Sequence, residues 1–359
     1  MQKTLAFLLL ILLGYLLQRK LGGKQDLAGL KVLILSVILP ATIFMALMKV
    51  EVSVAMLWLP VLALLLNGSL YAVSTRVLPR LGFPTGTKEY RTMLMLVPSL
   101  APGLSAFPFI LEYLGDGSLA LAALADVGNK VFVLIILYMV AMHWFYQLRG
   151  ASARSIDRRE KLKDLGWSLL REPVNLVMLA AFMLLGFGLT IASLPVFLED
   201  AVSRLAGLMS PVILLFIGMA VRFKREEMAL ILRVLCYRAA LAFLLAAGLI
   251  VAAGLSGPTA LLAVVFAQCA VSFWPFAHMA AVEGLRAPDS PPIFDLDLGL
   301  NVLAFSLPFS TVLILSILAC GEWFATPGVP TLAAGLLAVF PLLYAVRPVL
   351  RQRGVEARA

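Results

Sequence analysis

Val97-Pro98-Ser99-Leu100-Ala101-Pro102-Gly103-Leu104-Ser105-Ala106-Phe107-Pro108 lies inside an apolar run, yet it cannot continue as one helix. Each proline removes a backbone donor and clashes with the preceding turn. In lipid, polar groups freed in this way are tolerated only where protein or a watery cavity takes them up. The surrounding segment, residues 91–113, is long enough to cross a bilayer. It is expected to break into two half-helices near the membrane centre. The plainer alternative is a kink that only shapes packing.

Composition puts this stretch in a membrane. Of 359 residues, 62% are hydrophobic and 14% charged, and the mean hydropathy is +0.99. A soluble core cannot hide such an excess, and disordered, collagen-like and disulfide-scaffold classes fail on the same numbers. The chain reads as an all-α polytopic protein with about eleven apolar stretches of near-spanning length. Spans 1 to 5 cover residues 5–17, 27–48, 54–75, 91–113 and 118–145. Spans 6 to 11 cover 173–193, 196–221, 229–254, 259–282, 292–320 and 329–346.

Basic residues mark the cytoplasmic loops. They follow the odd spans: Arg19, Lys20 and Lys24; Arg76, Arg80 and Lys88; Arg149 through Lys163; Arg222, Lys224 and Arg225; and Arg286. The even spans are followed by Glu51, Asp116, Glu199, Asp200 and Glu322, with only Lys49 and Arg204 among them. The tail carries Arg347, Arg351, Arg353 and Arg358. The expected topology has the N-terminus outside and the C-terminus inside a bacterial-type cytoplasmic (plasma) membrane. The net charge of +9 is then topological, and nucleic acid is not an expected partner. The N-terminal run has its heavier basic cluster after it, so it reads as a first span rather than a signal peptide.

Span 9 contains Ser272-Phe273-Trp274-Pro275-Phe276, a counterpart of Ser105-Ala106-Phe107-Pro108-Phe109 in span 4. Spans 2 and 7 carry Pro40 and Pro211; spans 5 and 10 carry Asp126-Val-Gly-Asn129 and Asp297-Leu-Gly-Leu-Asn301. Each pair lies five spans apart. Because five is odd, the two halves are expected to insert with opposite orientation, a plan of secondary transporters with the site at the repeat interface. Residues 1–147 form the first repeat, 148–172 a cytoplasmic linker, 173–320 the second repeat, and 321–359 an extra helix and basic tail. Span 9 is expected to break near Pro275 and to cross span 4. Half-helix N-termini attract anions there, and exposed carbonyls attract cations.

Ionisable groups inside spans are the second signal, because they usually face a functional cavity. Asp126 lies about 12 Å and Lys130 about 18 Å along span 5, straddling the midplane. Their i,i+4 spacing allows a direct pair, which could equally be there only to cancel two costly charges. Asn129 and Asn301 are polar neighbours of the broken spans, as solute contacts or helix glue. His278, with Gln268 earlier in span 9, could couple a proton, or it could simply bond a carbonyl. Asn67 reads as interhelical glue, and His143 has no assigned role. Asp295-Leu-Asp297 resembles a metal-binding DxD, but residues two apart face different sides of a helix. Cys236, Cys269 and Cys320 lack metal-ligand spacing and read as small core hydrophobes. No phosphate loop, HExxH helix or GxSxG elbow occurs, so the chain is not expected to be an enzyme or an ATP-driven pump.

At these residues the sequence resembles the auxin efflux carrier family of membrane transporters, which includes bacterial permeases for malonate and similar acids. The resemblance covers roughly residues 5–317. It is carried by Leu39-Pro40-Ala41-Thr42-Ile43-Phe44, by the span-4 proline followed by Tyr113-Leu114-Gly115, and by Asp126-Val-Gly-Asn129. Pro211 followed by Ile217-Gly218 and the run from Pro275 to Gly284 complete it. It implies a scaffold of spans 1, 2, 6 and 7, a transport domain of spans 3–5 and 8–10, and a substrate site where spans 4 and 9 cross. Two features depart from the family: Ala101 stands where an asparagine is usual, and the eleventh span is extra. Distant bile-acid/sodium symporter relatives share the architecture, which keeps coupling to H+ or Na+ open.

The expected function is permease transport of a small organic anion by alternating access. Ala101, Gly103, Ser105, Pro108, Ser272 and Pro275 mark the substrate site, with Asn129, Lys130 and Asn301 beside it. Asp126, His278 and Gln268 are the coupling candidates. No metal and no cofactor is expected, and a homodimer through scaffold helices is left open. Two rival readings are a membrane enzyme acting on a lipid-linked substrate through Asp295 and Asp297, and a transporter-like sensor that no longer transports.

Overall fold

A computed structural model describes residues 2–21, 23–49, 56, 58–149, 163, 167, 171–220, 228–285 and 290–356. Much of the expected 148–172 linker lies outside them, as do Glu51, Arg222, Lys224, Arg225, Arg286 and Arg358. The described residues form helices and turns and no strand. Among the described residues, six helices are long and apolar enough to cross a membrane: Gln25–Leu47, Trp58–Leu81, Phe107–Leu148, Val196–Ala220, Met228–Ala252 and Leu296–Ala325. The chain is an all-α membrane protein.

The N-terminal half holds α1 (Gln2–Leu21), then α2 (Lys24–Leu33), which runs through a π-turn at Ile34–Ile38 into α3 (Leu39–Leu47). The wider turn sits just before Pro40, which lacks the donor a regular helix would use there. After α4 (Trp58–Val77) comes the interrupted span 4: α5 (Lys88–Leu96), α6 (Pro102–Ser105) and the start of α7 (Phe107–Val131). Gly115, at φ +81°, kinks the chain inside α7 between spans 4 and 5; only glycine takes this backbone form without strain. Span 5 continues through Phe132–Ile136 into α8 (Leu137–Arg149).

The C-terminal half holds α9 (Pro173–Gly186), α10 (Val196–Gly207), α11 (Met209–Ala220) and α12 (Met228–Ala252). The interrupted span 9 follows as α13 (Gly257–Ala267) and α14 (Phe273–Gly284), then α15 (Leu296–Cys320) and α16 (Gly328–Glu356). Span 6 ends as a helix seven residues early, because Gly188 (φ +74°) lets its own N–H and that of Leu189 close on Leu185 and Leu184. Span 10 begins at Leu296 rather than 292, where Asp295 caps it. Span 11 stays helical through the basic positions that the sequence places in a tail.

Small residues set the tightest crossings, as expected where lipid gives helices no hydrophobic reason to associate. α1 packs on α11, and a side chain at Gly14 or Gly218 would strike the facing backbone at Leu215 or Ile11. α4 packs on α7 with Gly128 against the Pro60 carbonyl. α9 packs on α3, and α12 on α16. Two groups of buried side chains result. One contains Phe7, Ile38, Phe107 and Ile213; the other contains Phe83, Met93, Val133 and Met279. The breaks in spans 4 and 9 lie where one group gives way to the other: Leu100 and Cys269 belong to the first, Val97 and Val271 to the second. All three cysteines are unpaired; Cys236 and Cys269 are buried and Cys320 is exposed.

Candidate functional site

Span 4 is non-helical from Val97 to Ala101 and span 9 from Gln268 to Ser272. The second break falls before Pro275 rather than at it. Pro275 occupies the first turn of α14 and Pro108 the first turn of α7, where a missing N–H costs nothing because that turn has no intrahelical acceptor.

The two breaks touch. The Ala101 N–H donates to the Ala270 carbonyl at 2.8 Å. Ser105 is fully buried; its hydroxyl donates to the Ala101 carbonyl at 2.7 Å and accepts from the Ala270 N–H at 3.0 Å. The Ser99 hydroxyl accepts from the Ser272 N–H at 3.1 Å and the Ser306 hydroxyl from the Val271 N–H at 3.3 Å. Ser272 caps α14 by accepting from the Trp274 N–H. The carbonyls freed in span 4 go elsewhere. Arg238, buried on α12, donates to Val97 and Ser99 at 2.9 Å each, and Asn129 donates to Leu100 at 3.0 Å. These nine backbone groups at the breaks, Val97 O, Ser99 O, Leu100 O, Ala101 N and O, Ala270 N and O, Val271 N and Ser272 N, are thus taken up inside the protein.

A cavity of about 440 Å³ opens against this crossing. Leu100 to Leu104 and Ala270 to Trp274 form one wall; Asp126, Asn129, Lys130 and Val133 of span 5 form another. Leu35 and Leu39, Phe216, and Leu303, Ser306 and Leu307 add apolar surface, while Lys31 and Glu172 stand at partly exposed positions in the lining. Lys130 Nζ lies 3.3 Å from Asp126 Oδ2, the expected i,i+4 pair, and 2.6 Å from Glu172 Oε2. Asn129 also donates to Asp126 Oδ1 at 2.8 Å and accepts from Asn67 at 2.8 Å, which ties span 3 to span 5. Lys31 Nζ sits 4.2 Å from the centre of the Phe273 ring, within cation–π range.

Of the sequence candidates, Ala101, Gly103, Asn129, Lys130, Asp126 and Ser272 line this cavity. Ser105 lies behind the wall as a clasp between the breaks. Pro108 and Pro275 shape half-helix starts outside the lining. Asn301 is on α15 away from the lining. His278 pairs its Nε2 with the Val133 carbonyl at 3.0 Å and packs edge-on to Tyr138. Gln268 is buried and donates to the Ala239 carbonyl at 3.1 Å.

Lys31, Glu172 and Arg238 stand outside the sequence candidates. Arg238 carries a readable signal, a guanidinium about 14 Å into span 8 counted along its axis. Lys31 falls inside the 27–48 span, one turn from its start and close to Lys24, and Glu172 is the last residue of the 148–172 linker.

Asp295 serves the fold. It accepts from the Leu298 N–H at 3.0 Å and pairs with Lys88 at 2.9 Å, and the hydrogen bond to it raises the Lys88 ammonium above its ordinary pKa. Among the described residues, no group of three or more His, Cys, Asp or Glu side chains could hold a metal ion. No protein-family model matches the chain, and no curated protein matches it.

Proposed function

We propose that the chain is a secondary transporter of a small organic anion, such as a mono- or dicarboxylate, and that the cavity beside the crossing is its site. One observation carries this reading: two interrupted helices hydrogen-bond to each other at the wall of a cavity that holds Lys31 and Lys130. α14 begins at that wall, so its N-terminal dipole favours negative charge there. The apolar lining suits the carbon skeleton of an acid, and the lysines suit its carboxylate.

The packing supports an inverted repeat. Span 1 lies on span 7 and span 6 lies on span 2, the reciprocal pair of contacts that exchange of the two halves would give. On this reading spans 1, 2, 6 and 7 are the scaffold, and the crossing moves against them during alternating access, as the resemblance to auxin efflux carriers implies. Loop charge puts the N-terminus outside and places Lys31 and Glu172 near the cytoplasmic ends of spans 2 and 6, so the cavity opens inward.

Uptake of radiolabelled acetate, malonate and succinate into proteoliposomes tests the proposal. Saturable flux that Lys130→Ala removes supports it. Absence of flux for every acid, with correctly folded protein, rejects it.

A further inference from the structure

The Lys130 side chain is only 9% exposed, and its ammonium is crowded by polar groups. It has three N–H donors and three partners: Glu172 at 2.6 Å, Asp126 at 3.3 Å and Asn175 at 3.5 Å. An anion that reaches Lys130 must displace one of them. Asp126 is one helical turn away, 7% exposed, with its second oxygen held by Asn129. It has nowhere to go. Asn175 is neutral and distant, so its departure frees no charge. Glu172 precedes α9, is 26% exposed and spends its carboxylate on no helix cap. It is the partner able to swing outward.

Charge balance points the same way. Lys31, Lys130, Asp126 and Glu172 give the lining two positive and two negative groups. Adding a carboxylate to that set leaves an excess negative charge in a medium that screens poorly. Exchanging Glu172 for a monocarboxylate keeps the site neutral, and for a dicarboxylate it holds the excess to a single negative charge, while Glu172 returns to water.

We infer that Glu172 is a built-in competitor for the anion site: the ligand carboxylate binds by taking the place of the Glu172 carboxylate on Lys130. This rests on the reading of the cavity as an organic-anion site. It selects for carboxylates over the corresponding amides, because only a negative group can replace the one displaced. It also ties occupancy to the position of the span 6 start, since an occupied site leaves Glu172 released.

Thermal unfolding of the full-length protein in detergent, titrated with acetate, malonate, succinate and malonamide, tests this without requiring transport. Glu172→Gln is expected to lower the half-saturating carboxylate concentration about tenfold, with malonamide giving no shift. Lys130→Ala is expected to abolish the response. Equal half-saturation for the wild type and Glu172→Gln overturns the competitor role while leaving the anion site standing. No response to any carboxylate in either protein overturns both. Glu172→Asp keeps the charge on a shorter arm and should fall between the two; half-saturation at or above the wild-type value also counts against the inference.

Discussion

The break in span 4 and the break in span 9 meet the same difficulty, main-chain polarity inside a membrane protein, with opposite chemistry. Apart from the direct bond between them, Ala101 N–H to the Ala270 carbonyl, span 4 presents the Val97, Ser99 and Leu100 carbonyls, taken by a guanidinium and an amide from Arg238 and Asn129. Span 9 presents N–H groups, taken by the hydroxyls of Ser105, Ser306 and Ser99. One break is thus pinned by a buried charge and the other by neutral groups with local acceptors of their own. Hydrogen bonds from charged donors are roughly twice as strong as neutral ones, so the span 4 break is the firmer wall. Ala270, Val271 and Ser272 line the cavity, where water can stand in for a lost hydroxyl.

The sharpest way to break this asymmetry is Arg238→Met. It strands two buried carbonyls, each costing about 1–3 kcal/mol, partly offset by relief of a buried cation. A net loss of about 3 kcal/mol is expected, read as a lowered unfolding midpoint in fixed detergent. A loss no greater than that of the serine variants would show the two walls to be equal. Ser105→Ala comes next, at about 2 kcal/mol, since it removes an acceptor and a donor together. Amide hydrogen exchange at Ala270 should accelerate in that variant. Ser306→Ala is the mildest, below about 1 kcal/mol, because its bond to Val271 is long and the cavity can supply water. A larger effect there would mean the cavity wall is dry.

The breaks were legible because proline and glycine act through the backbone alone, and Pro98, Pro102 and Gly103 forbid a continuous helix whatever surrounds them. The Asp126–Lys130 pair was legible for a similar reason, since i,i+4 geometry is local. What the sequence hides is which distant group answers each local demand. Arg238 lies 141 positions from Val97, and nothing in span 8 says whose carbonyls it seeks. Glu172 belongs to a polar run that reads as solvated linker; only the folded approach of span 6 to span 5 brings it to Lys130. His278 and Gln268 show the converse. Each is a polar group inside an apolar span that spends itself on a carbonyl of another span, Val133 for His278 and Ala239 for Gln268, and stays out of the cavity lining.

Gly14 and Gly218 bring two main chains together with no side chain between them. Such a joint has no rotamers to reshuffle, so it tolerates neither sliding nor gradual tilting; it behaves as a rivet. If the cavity alternates between the two faces of a bilayer as proposed, the rearrangement has to pivot around this fastening, with α1 and α11 moving as a single stiff beam.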